Sequence, residues 1–163
     1  FFMKMYEWFI GRHLAEAKKT GSRIYHLGRK DRIPKKLAEK LEKAEKETEK
    51  NTNYVLNVAL DYGGRDEILR AIGRMNGKKK VDDANFEFGD YLDTRGQPYP
   101  YPDLIIRTSG EQRTSGLFSW QGAYAEFYFE KEHFPAFTPE RLRVAVIDYG
   151  QRSRRFGGNL NDR

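Results

Sequence analysis

Apolar side chains fill eight of the first ten positions, Phe1-Phe2-Met3-Lys4-Met5-Tyr6-Glu7-Trp8-Phe9-Ile10, and a helical pattern runs on to Thr20 before Gly21 stops it. A helix apolar nearly all round needs cover on most of its sides. The apolar run is shorter than the ~20 residues that cross a bilayer, and no basic leader precedes it, so it reads neither as a signal peptide nor as a span. It reads as the interior helix of a longer protein. Arg23 to Leu27 then predicts a short strand leading into Gly28. Pro34 opens a second helix with Leu37, Leu41 and Ala44 on one face and a solvated Lys/Glu surface elsewhere, ending near Asn51.

Val55, Leu56 and Val58 lie close together in Tyr54 to Leu60, as in a strand covered on both faces. Asp61-Tyr62-Gly63-Gly64 turns the chain into a helix carrying Ile68, Leu69 and Ile72. Lys78-Lys79-Lys80 marks a surface loop, and Asp82 to Leu92 reads as a short helix. Three prolines in Gln97-Pro98-Tyr99-Pro100-Tyr101-Pro102 force an extended connector. Leu104-Ile105-Ile106 is a third, buried strand, Leu117 to Ala123 a short helix, and Glu126 to Phe129 a fourth strand. Thr138-Pro139-Glu140 opens a last helix to about Arg152. This alternation predicts an α/β protein, a largely parallel sheet with helices on both faces, in a single domain over residues 1–163.

Composition narrows the chemistry. The 163 residues carry 30 Lys and Arg against 24 Asp and Glu, a net charge of +6, which points to an anionic partner. The absence of cysteine excludes a disulfide scaffold, a thiolate metal site and a cysteine nucleophile. The three histidines, at 13, 26 and 133, fit no metal spacing. A mean hydropathy of -0.85 would suit a disordered chain, but 14% aromatic residues argue for a packed core.

The third strand runs into Arg107-Thr108-Ser109-Gly110-Glu111-Gln112-Arg113-Thr114-Ser115-Gly116, and the ends of strands are where α/β proteins keep their sites. Arg107 and Arg113 can each give two charge-assisted hydrogen bonds to a diphosphate, Ser115 adds a hydroxyl, and Gly110 would let backbone N–H groups approach. The competing reading is an ordinary ion pair of either arginine with Glu111. Glu126 interrupts the aromatic stretch Tyr124 to Phe129 and calls for a cation. Mg2+ shared with a phosphate would serve, and so would a nearby arginine.

Asp103 to Arg113, with Trp120-Gln121, Tyr124 to Phe129 and Arg154-Arg155-Phe156-Gly157-Gly158, resembles the cis-prenyltransferase family, the undecaprenyl diphosphate synthases. Leu56-Asn57-Val58-Ala59 and Tyr62-Gly63-Gly64-Arg65 resemble a further block in the same order. The resemblance implies condensation of isopentenyl diphosphate with an allylic prenyl diphosphate in Z geometry, dependent on Mg2+, by a homodimer. By position, Arg107, Arg113 and Ser115 match the binders of isopentenyl diphosphate, and Glu126 the metal glutamate. Arg155, Gly157 and Gly158 match a tail that reaches across the dimer, with Glu111 as a loop organiser. Phe2, Met5, Tyr6, Phe9 and Tyr54 would lie along a hydrocarbon tunnel. A cytoplasmic enzyme is implied, with peripheral membrane association through its lipid product.

The sequence departs from the family in places. It holds no counterpart of the Asp-Gly-Asn-Gly-Arg-Trp-Ala type loop that carries the allylic site and the catalytic aspartate, so no catalytic residue is assigned to these 163 residues and the chain alone is expected to be inactive. Asp61 stands where Asn is commoner, with a helix cap the expected change, and Gly116 where Asn often follows the serine. An alternative is a non-catalytic supporting subunit of a heteromeric enzyme. A nucleic-acid-binding domain fits less well, because the basic residues are spread among acids rather than gathered with exposed rings.

Overall fold

The computed structural model describes residues 2–75 and 87–153, with side chains from Met5 onward. Lys78 to Lys80, most of the helix expected from Asp82, and the tail from Arg154 fall outside the described residues. The chain divides into two compact units, Phe1–Glu67 and Ile68–Arg163.

In the first unit, α1 (Phe2–Thr20) ends at Gly21, whose φ of 71° reverses the chain. Strand β1 (Ser22–Leu27) pairs in parallel with β2 (Tyr54–Ala59), Ser22 opposite Tyr54 and Leu27 opposite Ala59. The crossover between them is α2 (Lys35–Glu47). Ile10, Ala17, Ile24, Leu37, Leu41 and Ala44 form one buried core, with Tyr6, Leu14, Leu56 and Leu60 packed against it. Helix α2 ends four residues before Asn51. There Thr48, fully buried, donates its hydroxyl to the Ala44 carbonyl at 2.8 Å and accepts the Ile24 N–H at 3.0 Å.

That bond belongs to a series. The Ile24 N–H goes to Thr48, the His26 N–H goes to the Glu45 carboxylate at 2.8 Å, and the Ser22 carbonyl accepts from the Asn51 amide at 2.8 Å. Side chains three residues apart thus satisfy backbone groups of β1 that no strand among the described residues satisfies. Beyond β1, Gly28 at φ 120° lies against β2's end, where a Cβ would stand 2.4 Å from the Leu60 carbonyl oxygen. Asp61 is pinned by a two-pronged pair with Arg32 at 2.7 Å. Its carboxyl is held below the ordinary value chiefly by that arginine, so the expected change of helix cap gives way to an ion pair. Along β2, Val55 to Val58 are half-buried while Tyr54 and Ala59 are exposed.

Helix α3 (Gly64–Met75) runs from the first unit into the second. In the second unit Arg70 and Arg74 converge on the nearly buried Asp93 at 2.7 and 2.8 Å. A short 3-10 turn, Phe88–Tyr91, stands where the helix from Asp82 was expected. Strand β3 (Leu104–Arg107) pairs in parallel with β4 (Glu126–Phe129), Leu104 opposite Glu126 and Arg107 opposite Phe129. The segment Leu117–Ala123, read as a helix, is a run of turns, because Ser115, Gly116 and Phe118 all take positive φ and break any helical repeat. Helix α4 (Pro139–Gln151) is capped by the Thr138 hydroxyl, which accepts the Arg141 N–H. The described strands pair in parallel two by two, and the chain is α/β as expected.

Candidate functional site

Arg107 is the last residue of β3, so its guanidinium stands at the carboxyl end of a parallel strand, the usual place for a ligand in such folds. The polar loop after it folds back, and Arg107 Nη1 comes within 3.4 Å of the Ser115 Oγ. The structure therefore brings together two of the three residues assigned to the diphosphate. Arg113, on the same loop, is exposed and paired with Glu111, which is the ion pair that had competed with the anion-binding reading. A surface pair of neighbours gives little stability and is readily exchanged, so the pairing leaves Arg113 available to a more highly charged ligand.

The loop's backbone behaves differently from the expectation. Ser109 and Gly110 take φ of 73° and 68°, yet the Ser109 N–H donates to the Glu132 carbonyl at 2.7 Å and the Gly110 N–H to the Glu130 carbonyl at 2.9 Å. These two donors are spent on the chain after β4 and are not turned toward an anion. Gly110 serves the turn rather than a phosphate. His133 Nδ1 lies 3.2 Å from the Ser109 Oγ on the same side.

Glu126 opens β4 opposite Leu104, three register positions from the level of Arg107. At ~3.3 Å per residue that is about 10 Å along the pair, and alternation puts Glu126 on the face opposite Arg107. The stacked rings of Phe127 and Phe129, 5.9 Å apart, mark the Arg107 face. The Glu126 carboxylate meets Arg152 at 3.0 Å, and among the described residues no group of three or more His, Asp or Glu could hold a metal ion. A single carboxylate suits an ion shared with substrate oxygens rather than one caged by protein.

Of the residues assigned to the tunnel, Met5 and Phe9 are exposed on α1, Tyr6 packs against the core, and Tyr54 is 68% exposed at the start of β2; the Phe2 side chain lies outside the description. Arg155, Gly157 and Gly158 also fall outside the described residues. Among those described, no helix is long and apolar enough to cross a membrane. Sequence reasoning did not find the cavity of about 700 Å³ beside the proline connector, lined by Glu87, Tyr101, Asp103, Trp120 and Tyr124. There the Tyr101 hydroxyl donates to Glu87 at 2.8 Å, and burial, then that carboxylate, pushes the phenol up to about 12. The ring-rich connector was the available signal.

Residues 1–157 match the undecaprenyl diphosphate synthase family of prenyltransferases. The isoprenyl transferase of Bacillus thuringiensis subsp. konkukian is 42% identical over 164 residues, 97% of this chain and 63% of that protein. That of Clostridium perfringens is 43% identical over 162 residues, 96% and 63% of the two. The chain thus spans less than two thirds of the length of these curated relatives. Lavandulyl diphosphate synthase from Lavandula x intermedia, solved with dimethylallyl diphosphate, gives a TM-score of 0.88 at 33% identity, over 95% of this chain and 69% of that one. A probable undecaprenyl diphosphate synthase from Campylobacter jejuni gives 0.82 at 28%, over 94% and 72%. The ordered sequence blocks, the parallel α/β fold and the arginine-serine loop at the end of β3 have one explanation in common: the chain belongs to the undecaprenyl diphosphate synthase family.

Proposed function

We propose that these residues form the C-terminal part of one catalytic domain that elongates a prenyl chain in Z geometry. The domain would condense isopentenyl diphosphate with an allylic prenyl diphosphate to a polyprenyl diphosphate. The observation that carries this reading is the meeting of Arg107 and Ser115 at the end of β3, with Arg113 exposed on the same loop. Their role is to neutralise the diphosphate of isopentenyl diphosphate and hold its double bond toward the allylic C1. The new carbon–carbon bond forms as the allylic carbon–oxygen bond breaks; diphosphate departs and a proton is lost from the isopentenyl C2. Charges fixed around the site favour that separation.

Glu126 is read as the ligand of Mg2+, which would supply charge neutralisation at the diphosphate. Because Glu126 is bonded to Arg152, just ahead of the tail, and stands away from its own Arg107, the carboxylate and the tail residues Arg155, Gly157 and Gly158 are assigned to the partner copy's site in a homodimer. A cytoplasmic location with peripheral attachment through the lipid product completes the reading. The 163 residues alone would transfer no prenyl group, since the allylic loop and its aspartate have no counterpart in them.

Calorimetric titration of the chain with isopentenyl diphosphate tests the site. Binding that Arg113→Ala weakens by tenfold or more supports it, whereas equal binding by both removes it. Joining the chain to the N-terminal third of an isoprenyl transferase should yield turnover. A supporting subunit of a heteromeric enzyme needs no diphosphate affinity of its own, so the same titration separates the two readings.

A further inference from the structure

The Arg107–Gly110 turn has two consecutive residues with left-handed backbone, Ser109 at 73° and Gly110 at 68°. For serine that conformation carries a steric cost, so something outside the turn must hold it. Regular pairing of β3 with β4 ends at Arg107 and Phe129. Past that point three backbone bonds continue the contact: Glu130 N–H to the Arg107 carbonyl at 2.8 Å, Ser109 N–H to the Glu132 carbonyl at 2.7 Å, and Gly110 N–H to the Glu130 carbonyl at 2.9 Å. The first part of the arginine-bearing loop, Arg107 to Gly110, is therefore held in place by the backbone of residues 130–132.

That segment is in turn fixed by a carboxylate. Glu130 is buried, 7% exposed, and its Oε1 accepts the Glu132 N–H at 3.1 Å and the Arg141 Nη1 at 3.0 Å. Arg141 stands on the first turn of α4, where its own N–H is taken by the Thr138 cap, and its other arm lies 3.7 Å from Glu132. Resting on the reading of the loop as a diphosphate site, we infer that Glu130 and Arg141 are a positioning pair, tying α4 to the 130–132 turn and so setting the Arg107–Gly110 loop in its anion-binding shape. Neither residue touches substrate. They act as supporting groups do behind a ligand-binding shell, through the residues they orient. The carboxyl of Glu130 sits below its ordinary value, through the Glu132 N–H first and Arg141 after it, in keeping with an ionised clamp.

The test uses the 163-residue chain with Glu130→Ala, Arg141→Met and the double variant. Amide hydrogen exchange at Ser109 and Gly110 should quicken by about tenfold or more in each single variant, while β1 and β2 amides keep their rates. Affinity for isopentenyl diphosphate, measured by calorimetry, should fall about tenfold. The double variant should be no worse than either single one, and Arg141→Lys should recover part of the loss. Should Glu130→Ala fail to fold, Glu130→Gln and Arg141→Met carry the same measurements. Unchanged exchange and unchanged affinity in both single variants overturn the inference, as does additive loss in the double variant. If wild-type chain binds no isopentenyl diphosphate although exchange in the loop responds to Glu130, the diphosphate reading itself has failed, and the pair serves only the fold.

Discussion

Arg152 donates to the Glu126 carboxylate at 3.0 Å and to the Phe127 carbonyl at 2.9 Å, which fastens the end of α4 to the beginning of β4. Asp148 takes the other arm of the same guanidinium. Arg152→Met should therefore lower the melting temperature of the chain, while Glu126→Gln, whose amide oxygen still accepts, should melt closer to wild type. In a complete enzyme Glu126→Gln should raise the Mg2+ needed for half-maximal turnover by about tenfold, as loss of one charged ligand implies. Circular-dichroism melts and a metal titration of turnover separate the structural effect from the functional one.

The same bond gives a pattern for mixed dimers of a complete enzyme. Arg113→Ala chains mixed with chains cut before Arg155 should regain activity at one of the two sites, and so should Arg113→Ala mixed with Glu126→Gln. Chains cut before Arg155 mixed with Glu126→Gln should not, because both defects lie on the contributing side. Turnover after reassociation, with dimer formation confirmed, reads the outcome. Recovery in the last mixture, or in none, would refute contribution from the partner copy.

Asp93 governs an acid limb of stability. Burial opposes its ionisation, but the forks of Arg70 and Arg74 outweigh burial and hold its carboxyl below the ordinary value. Its contribution is thus fully present above the unfolded value of about 3.9, and is lost as pH falls through the lower folded value. Asp93→Asn should cost about 3 kcal/mol near neutral pH and flatten the loss of stability on acidification. Chemical denaturation at a series of pH values checks both.

Thr48 offers a substitution of nearly constant volume. Thr48→Val leaves the Ile24 N–H without its acceptor and should cost about 1–3 kcal/mol, with Thr48→Ser close to wild type. Denaturant midpoints of the two variants decide it.

Much of the fold was legible because punctuation residues sit where the backbone needs them. Gly21 ends α1, Pro34 opens α2, Thr138 caps α4 and the prolines at 98, 100 and 102 keep the connector out of helix. The error at Leu117–Ala123 arose because Ser115 and Phe118, residues that seldom adopt positive φ, do so here. The arginine loop could be located from residue types alone, but its backbone bonding could not. Ser109 and Gly110 are tied to carbonyls twenty or more positions away, and no local pattern reports that. The partners of Glu126 and Glu130, at 152 and 141, were hidden for the same reason.

The three side chains along β1 have a consequence for self-association. An unsealed strand edge is a template on which another molecule's strand can add, and proteins usually blunt it with charge, proline or a bulge. Here Glu45, Thr48 and Asn51 occupy the groups at Ser22, Ile24 and His26 that an incoming strand would need. A strand edge that would otherwise invite fibril-like stacking is closed by the end of the crossover helix and the residues just after it, so long as α2 stays docked.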